Sequence, residues 1–189
     1  VDVSTYQKGI DWNKAKAAGV DFAIIRIGFR GYGEAGRMQP DDWFVRNIEA
    51  AKAAGVMVGV YFFSQALNTF EARAEADYTL ELLGDYELDF PIFMDYEFSP
   101  VSSGRFTSGT ITKIQATANV RAFCEYIEAN GHRAGLYANL NFLNKTVDGE
   151  ALGREYPIWV AQYYNTCNYD YDYDYWKYSS GGSVNGIGG

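Results

Sequence analysis

The chain reads as an α/β protein, an irregular (β/α) barrel of the TIM type whose last strands lack helices. Three observations predict this. Four strand-then-helix alternations follow one another, the strands are near-continuous apolar runs as in a parallel sheet buried on both faces, and the rhythm changes after Tyr137. With 189 residues, 48% of them hydrophobic, the chain has the size and apolar content of one compact unit, and we take 1–189 as a single domain.

In order, Val1-Asp-Val-Ser4 is a short strand, and Asp11 N-caps an Ala-rich helix that closes at Gly19. Phe22 to Phe29 is an Ile-rich strand. A glycine-rich loop leads to Pro40-Asp-Asp42, which opens a helix through Phe44, Ile48 and Ala51 to Gly55. Val56 to Phe63 is again a strand. A helix from about Thr69 to Leu83 leads into the strand at Phe90 to Glu97, and one from about Thr110 to Asn130 leads into Arg133 to Ala138. Beyond Tyr137 the chain shows strands at Ile158 to Tyr163 and Tyr171 to Tyr178, with no long helix between or after them. Helix length and the regular repeat favour barrel-like closure over an open sheet.

Composition narrows the function classes. The formal charge is −8, from 16 basic and 24 acidic residues, with no basic run that could track phosphates, so neither nucleic acid nor an anionic membrane is an expected partner. No apolar stretch approaches the ~20 residues of a membrane span, so no membrane insertion is expected. Val1 already opens a strand, so no leader is expected in this sequence. Cys124 falls on the apolar face of a helix, Cys167 lies in a polar loop, and a disulfide is not implied. His132 sits in a helix-end turn with no second His to share a metal and no nucleophile beside it.

The chemistry centres on Asp89-Phe-Pro-Ile-Phe-Met-Asp-Tyr-Glu97. Side chains alternate along a strand, so Asp95 and Glu97 leave one face of the sheet, their backbone origins roughly 6.6 Å apart. Carboxyls that close can be driven to different proton affinities, which suits acid/base work. A solvated strand end is the plain alternative. In a parallel barrel the strand ends gather on one face, which brings Asp2, Tyr61, Phe63, Tyr137, Asn139, Trp159 and Tyr163 toward a common rim. Any one of these rings packs most simply in a core. Together, beside paired acids, they describe a groove for sugars, whose apolar faces stack on rings while their hydroxyls need polar partners. Aromatic residues are 17% of the chain, with 16 Tyr and 12 Phe, more than a core of this size needs.

Two motifs are decoys. Gly31-Tyr-Gly-Glu-Ala-Gly36 matches a dinucleotide fingerprint, but Arg37 to Pro40 intervene where a helix should begin. Asp170-Tyr-Asp-Tyr-Asp174 resembles an EF-hand start but lacks the Gly and Glu that loop needs. The Tyr/Asp alternation from Tyr169 to Tyr175 reads instead as a strand with one aromatic and one acidic face.

Seven pieces in register resemble the family 25 glycoside hydrolases, the CH-type lysozymes: Val1-Asp-Val-Ser4 with Gly9-Ile-Asp-Trp12, Phe22-Ala-Ile-Ile-Arg26, Gly59-Val-Tyr-Phe-Phe63, Asp95-Tyr-Glu97, Gly135-Leu-Tyr137, Trp159-Val-Ala-Gln-Tyr163, and Trp176-Lys-Tyr-Ser-Ser180 with Val184-Asn-Gly-Ile-Gly188. The resemblance implies an irregular barrel and cleavage of the β-1,4 bond between N-acetylmuramic acid and N-acetylglucosamine in peptidoglycan. It implies Glu97 as proton donor, Asp95 and Asp2 as supporting carboxylates, and Tyr61, Phe63, Tyr137, Trp159, Tyr163 and Trp176 as substrate-binding residues. It implies no metal or organic cofactor, peptidoglycan glycan strands as partner, a monomer, and action outside the cell at the wall. Two departures stand out: the family carries His where Phe62 stands and Gln where Lys177 stands. The family also has a further Asp after Gly-Ile-Gly, so the resemblance predicts a chain shortened at its C-terminus.

Two acids leaving one strand on one face are poorly placed to straddle a scissile bond. A retaining route in which the sugar's own N-acetyl group attacks, with Asp95 steering it, is therefore expected over an enzyme nucleophile. The competing readings are a chitinase-like βα-barrel glycosidase, whose signature would place an acid at Phe93, and a cell-wall binding module without chemistry.

Overall fold

The computed structural model describes residues 1–188. Its strands are β1 (Asp2–Val3), β2 (Phe22–Arg30), β3 (Met38–Pro40), β4 (Met57–Ser64), β5 (Ile92–Tyr96), β6 (Ala134–Asn139), β7 (Ile158–Ala161) and β8 (Tyr175–Lys177). Six α-helices connect them among the described residues: α1 (Trp12–Ala17), α2 (Phe44–Ala53), α3 (Thr69–Leu83), α4 (Lys113–Ala129), α5 (Leu140–Lys145) and α6 (Gly149–Glu155). The strands run parallel in the order β1-β2-β4-β5-β6-β7-β8 and curl into a half-barrel, with β3 pairing antiparallel to β2 off this path.

Local chemistry sets the helix ends. Asp11, Asn68 and Thr112 each accept a hydrogen bond from a first-turn amide of α1, α3 and α4, satisfying donors that have no partner inside the helix. Gly84 closes α3 at φ 53°, in the left-handed region that favours glycine.

The sheet has two packed faces. Outward, Ile92, Met94 and Tyr96 of β5 join Val58, Val60, Leu136 and Val160 beneath the helices, with Phe123 and Ile127 of α4 against them. Inward, Ile24, Phe93, Tyr137 and Trp159 form a second cluster with Tyr61 and Tyr175 packed on it. This inner layer interdigitates because glycines face its large rings. A Cβ at Gly135 would lie 2.7 Å from the Phe93 ring and 2.8 Å from the Pro157 carbonyl, and one at Gly59 would lie 2.7 Å from Phe90 Cβ. The glycines of the Gly59-to-Phe63 and Gly135-to-Tyr137 segments are therefore packing requirements of the barrel floor.

The structure corrects the sequence reading in four places. The glycine-rich loop does not lead straight to a helix: Met38–Pro40 forms β3 and pairs back on β2 as a hairpin, while the motif itself opens no helix, as expected. Two short helices, α5 and α6, separate β6 from β7, while β7 and β8 are joined without one. The strand expected at Ile158 to Tyr163 ends at Ala161. Only Tyr175–Lys177 of the Tyr/Asp-rich segment is a strand. The reason lies in β7, which begins at Ile158, already receives Asp174 N–H on its Ile158 carbonyl, and offers no ladder partner to residues 169–173.

A buried ion pair ties α3 to β2. Arg30 Nε donates to Glu75 Oε1 at 2.6 Å, and Ser64 Oγ donates to Glu75 Oε2 at 2.5 Å. Arg30 also donates to the Gly36 and Glu71 carbonyls, fixing the hairpin loop against the helix. Burial pushes the Glu75 carboxyl up to about 7, against the pull of Arg30.

Two substitutions test this packing. Gly135→Ala is expected to destabilise by about 1–3 kcal/mol through overpacking, read as a lowered urea midpoint with an unchanged slope. Arg30→Met strands the Glu75 carboxyl and is expected to cost about 3–5 kcal/mol, whereas Arg30→Met with Glu75→Leu costs less. Equal losses in the single and double variants would contradict the pairing.

Candidate active site

Parallel register carries side chains of one face across the sheet. Phe63 pairs with Asp95, Asp95 with Tyr137, Tyr137 with Trp159, and Trp159 with Tyr175, while Asp2 pairs with Ile24 and Lys177 with Ala161. The inner face therefore has a floor of rings and a mouth of carboxyls, with Asp95 at the end of β5 and Glu97 just beyond it. Glu97 continues the parity of Phe93 and Asp95, both acids facing the same side.

The residue between them anchors the pair. Tyr96 points outward, fully buried, its hydroxyl donating to the Ala66 carbonyl at 2.5 Å and accepting from Asn119 Nδ2 at 3.0 Å. Its ring stacks on Phe106 with centroids 4.8 Å apart. Gln65 Nε2 donates to the Glu97 carbonyl at 2.9 Å and so fixes the backbone beyond the strand end. With Tyr96 locked outward, alternation leaves Asp95 and Glu97 no face but the inner one.

Asp95 is only 6% exposed. Among the described residues its Oδ1 is sealed with no hydrogen-bond partner. Burial pushes the Asp95 carboxyl well above the usual range, and the charge of Glu97 adds to it, with Lys177 opposing. Glu97 is also raised by burial, against a hydrogen bond from Asn139 and the Lys177 charge. Asn139 can serve both ends because its Oδ1 caps α5, accepting Phe142 N–H at 2.9 Å. Both acids are thus held toward the protonated state, Asp95 more strongly, so burial alone does not make Asp95 the anion.

The remaining predicted residues fall around this unit. Asp2 accepts from Lys177 Nζ at 2.7 Å. Tyr61 sits edge-on to Trp159, and its hydroxyl is pushed up by burial and next by the Asp95 charge. Tyr137 packs on Trp159 with centroids 4.5 Å apart, its hydroxyl raised by the same two influences. Phe63 meets Tyr32 edge-on. Tyr163, beyond β7, is exposed, and its phenol lies within electrostatic reach of Tyr137 and Lys177. Trp176 is not brought to the groove. It lies between Tyr175 and Lys177, which face inward, so its indole takes the outer face and donates to the Gln162 carbonyl at 2.9 Å.

Sequence reasoning missed a second wall of the groove. Arg26, paired in register with Tyr61, donates through Nε to Asp41 Oδ2 at 2.7 Å. Asp41 also accepts from Thr5 N–H and Trp43 N–H, which ties the segment after β1 to the start of α2. The Arg26 guanidinium lies 5.2 Å from the ring centres of both Tyr6 and Phe29. Thr5, Tyr6, Arg26, Phe29 and Asp41, with Tyr32 and Phe63, line a cavity of about 200 Å³, and Phe63 is the register partner of Asp95. A lone Arg at an inward position of an apolar strand is the signal that marks such a wall. Chemically, the arrangement offers a proton donor and a carboxylate side by side in an aromatic groove.

Comparison with known proteins agrees with this geometry. The description Glycosyl hydrolases family 25 matches residues 1–187. The chain is 28% identical to the autolytic lysozyme of Clostridium acetobutylicum over 194 residues, covering 100% of this chain and 52% of that protein. It is also 28% identical to lysozyme M1 of Streptomyces globisporus over 197 residues, covering 100% of this chain and 64% of that one. The crystal structure of the bacterial lysozyme from Streptomyces coelicolor superposes with a TM-score of 0.82 at 26% identity, covering 100% of this chain and 87% of that one. The chain thus spans only about half to two thirds of the length of the two curated relatives. With the match running from residue 1 to residue 187 and the paired acids at the mouth of the half-barrel, the chain belongs to the glycosyl hydrolases family 25.

Proposed function

We propose that this chain is the catalytic domain of a muramidase, hydrolysing the β-1,4 bond between N-acetylmuramic acid and N-acetylglucosamine in peptidoglycan, as a monomer outside the cell at the wall. The observation that carries the proposal is the Asp95–Glu97 pair at the mouth of an aromatic groove, Asp95 buried and Glu97 half-buried, with burial raising both carboxyls. The names of its relatives, lysozymes in each case, support the substrate class.

In this reading the pair holds one proton when substrate enters. Glu97, nearer the rim, gives that proton to the glycosidic oxygen as the bond to the anomeric carbon breaks. The acetamido oxygen of the same sugar attacks that carbon from the opposite face and forms a cyclic oxazolinium ion. Asp95, as the anion, takes the acetamido N–H on Oδ2 and balances the positive charge that develops. An N–H donor and a nearby cation both favour the ionised form, so bound substrate reverses the preference for Asp95 protonation. Water then attacks the anomeric carbon and returns its proton to Glu97, with configuration retained after two inversions. Asp2 supports the charge balance from the facing edge, and the inward rings Tyr61, Phe63, Tyr137 and Trp159 with Tyr163 shape the sugar subsites.

Glu97→Gln keeps the shape but cannot donate, and it is expected to slow clearing of a peptidoglycan suspension by about 10²–10⁴-fold. Undiminished clearing would remove Glu97 from the donor role, and retained binding with no clearing by the wild type would make the domain a binding module. Mass analysis of released muropeptides is expected to find N-acetylmuramic acid at the new reducing end, and NMR of the fresh product, before mutarotation, to find it in the β configuration. A trapped glycosyl ester on Asp95 or an inverted product would overturn the acetamido route.

The pH dependence follows from the raised carboxyls. The reaction needs one proton on the pair, so the rate falls in acid when both are protonated and in alkali when neither is. Because burial raises both, the alkaline limb of kcat/KM is expected above the ordinary glutamate range of about 4.3. A limb at or below that value would count against the pair.

A further inference from the structure

Glu97 stands beyond the ladder that carries it. The register of β5 with β4 ends at Ser64 and Tyr96, and that with β6 at Asp95 and Tyr137, so Glu97 has no register partner on either side. Its backbone is held instead by the turn between β4 and α3. Gln65 Nε2 donates to the Glu97 carbonyl at 2.9 Å and to the Ser64 carbonyl at 2.9 Å. One residue on, the Ala66 carbonyl accepts the Tyr96 hydroxyl at 2.5 Å and Asn119 Nδ2 at 3.3 Å. Ser64-Gln65-Ala66 thus grips the chain at Tyr96 and again at Glu97.

A turn of three residues has no ladder of its own, and a buried carboxyl fixes this one. Glu75 of α3 accepts Ser64 Oγ on Oε2 at 2.5 Å and Gln65 N–H on Oε1 at 3.2 Å, while Arg30 Nε donates to the same Oε1 at 2.6 Å. The Ser64 hydroxyl accepts Ala66 N–H at 3.2 Å in turn. Ser64, Gln65, Ala66, Glu75, Tyr96 and Asn119 are all 0% exposed, so these bonds are shielded from water. Gln65 Oε1 has no partner among the described residues. A buried acceptor left alone costs stability, and the arrangement that tolerates it keeps Nε2 on both carbonyls.

We propose that Glu75 is a positioning residue for the acid pair: its carboxyl sets the Ser64-Gln65-Ala66 turn, and the turn clamps the backbone at Tyr96 and Glu97. This deepens the proposed function and rests on its assignment of proton donation to Glu97. A proton donor must come within about 2.6–3.2 Å of the oxygen it serves, and Glu97, without strand partners, receives that precision from the helix side of the sheet. Glu75 touches no substrate and acts only through the turn.

The test compares wild type with four variants, each checked for folding by circular dichroism. Gln65→Met removes the amide donors. Arg30→Met with Glu75→Leu removes the carboxyl without stranding its cation, and Glu75→Asp keeps the charge on a side chain too short to reach Ser64 and Gln65 together. Glu75→Gln keeps an acceptor for Gln65 N–H. On soluble peptidoglycan fragments, the first three are expected to lose on the order of 10²-fold in kcat with KM near wild type, and Glu75→Gln to stay near wild type. The NMR coupling across the hydrogen bond from Gln65 Nε2 to the Glu97 carbonyl reads the clamp without reference to activity. It is expected in wild type and Glu75→Gln and lost in the other three. Wild-type kcat, or a retained coupling, in folded Glu75→Asp or the double variant would overturn the role of Glu75. Glu97→Gln is measured alongside: if it is slow while Gln65→Met keeps its kcat, the clamp is overturned and the donor assignment stands. If Glu97→Gln is as fast as wild type, the donor assignment is overturned, whatever the coupling shows.

Discussion

The structure depends on holding several carboxyls close together and partly out of water on one face of a sheet. Asp2, Asp95 and Glu97 share the mouth of a half-barrel, and each loses hydration there that only a proton, a cation or a hydrogen bond can replace. All three remedies are present. Asp2 is paired with Lys177, Glu97 has the Asn139 amide, and Asp95, with its sealed Oδ1, is pushed toward its protonated form. A reaction that needs an acid and an anion side by side draws on this balance, because burial favours the proton on both carboxyls while Lys177 pulls against it at each.

That balance is useful only if the acids cannot turn away, and the outward face of β5 prevents it. Tyr96 is fixed by two hydrogen bonds and by Phe106, and Gln65 fixes the next carbonyl. The floor beneath does complementary work. Phe93 sits opposite Gly135 and edge-on to Trp159 and Tyr175, so β5 cannot sink into the barrel without a clash. The acids are therefore positioned by packing on both faces of one five-residue strand, and the rigidity of that strand is a property of its neighbours more than of its own ladder.

Much of this was legible in the sequence because it follows from period. Apolar runs gave the parallel strands, Asp11 gave a cap, and the two-residue spacing of Asp95 and Glu97 gave their common face. The same rule, applied to Trp176, would have turned it outward once Lys177 was known to face in. Without a partner strand to fix the register, that choice was open. The Tyr/Asp alternation misled for a related reason, since a pattern of period two makes a strand only where a neighbour offers hydrogen bonds. Arg26 with Asp41 escaped notice because the partners are 15 positions apart and joined by a hairpin that a dinucleotide-like motif disguised. The order of protonation within the pair escaped because burial depends on what covers each acid, and spacing says nothing of that.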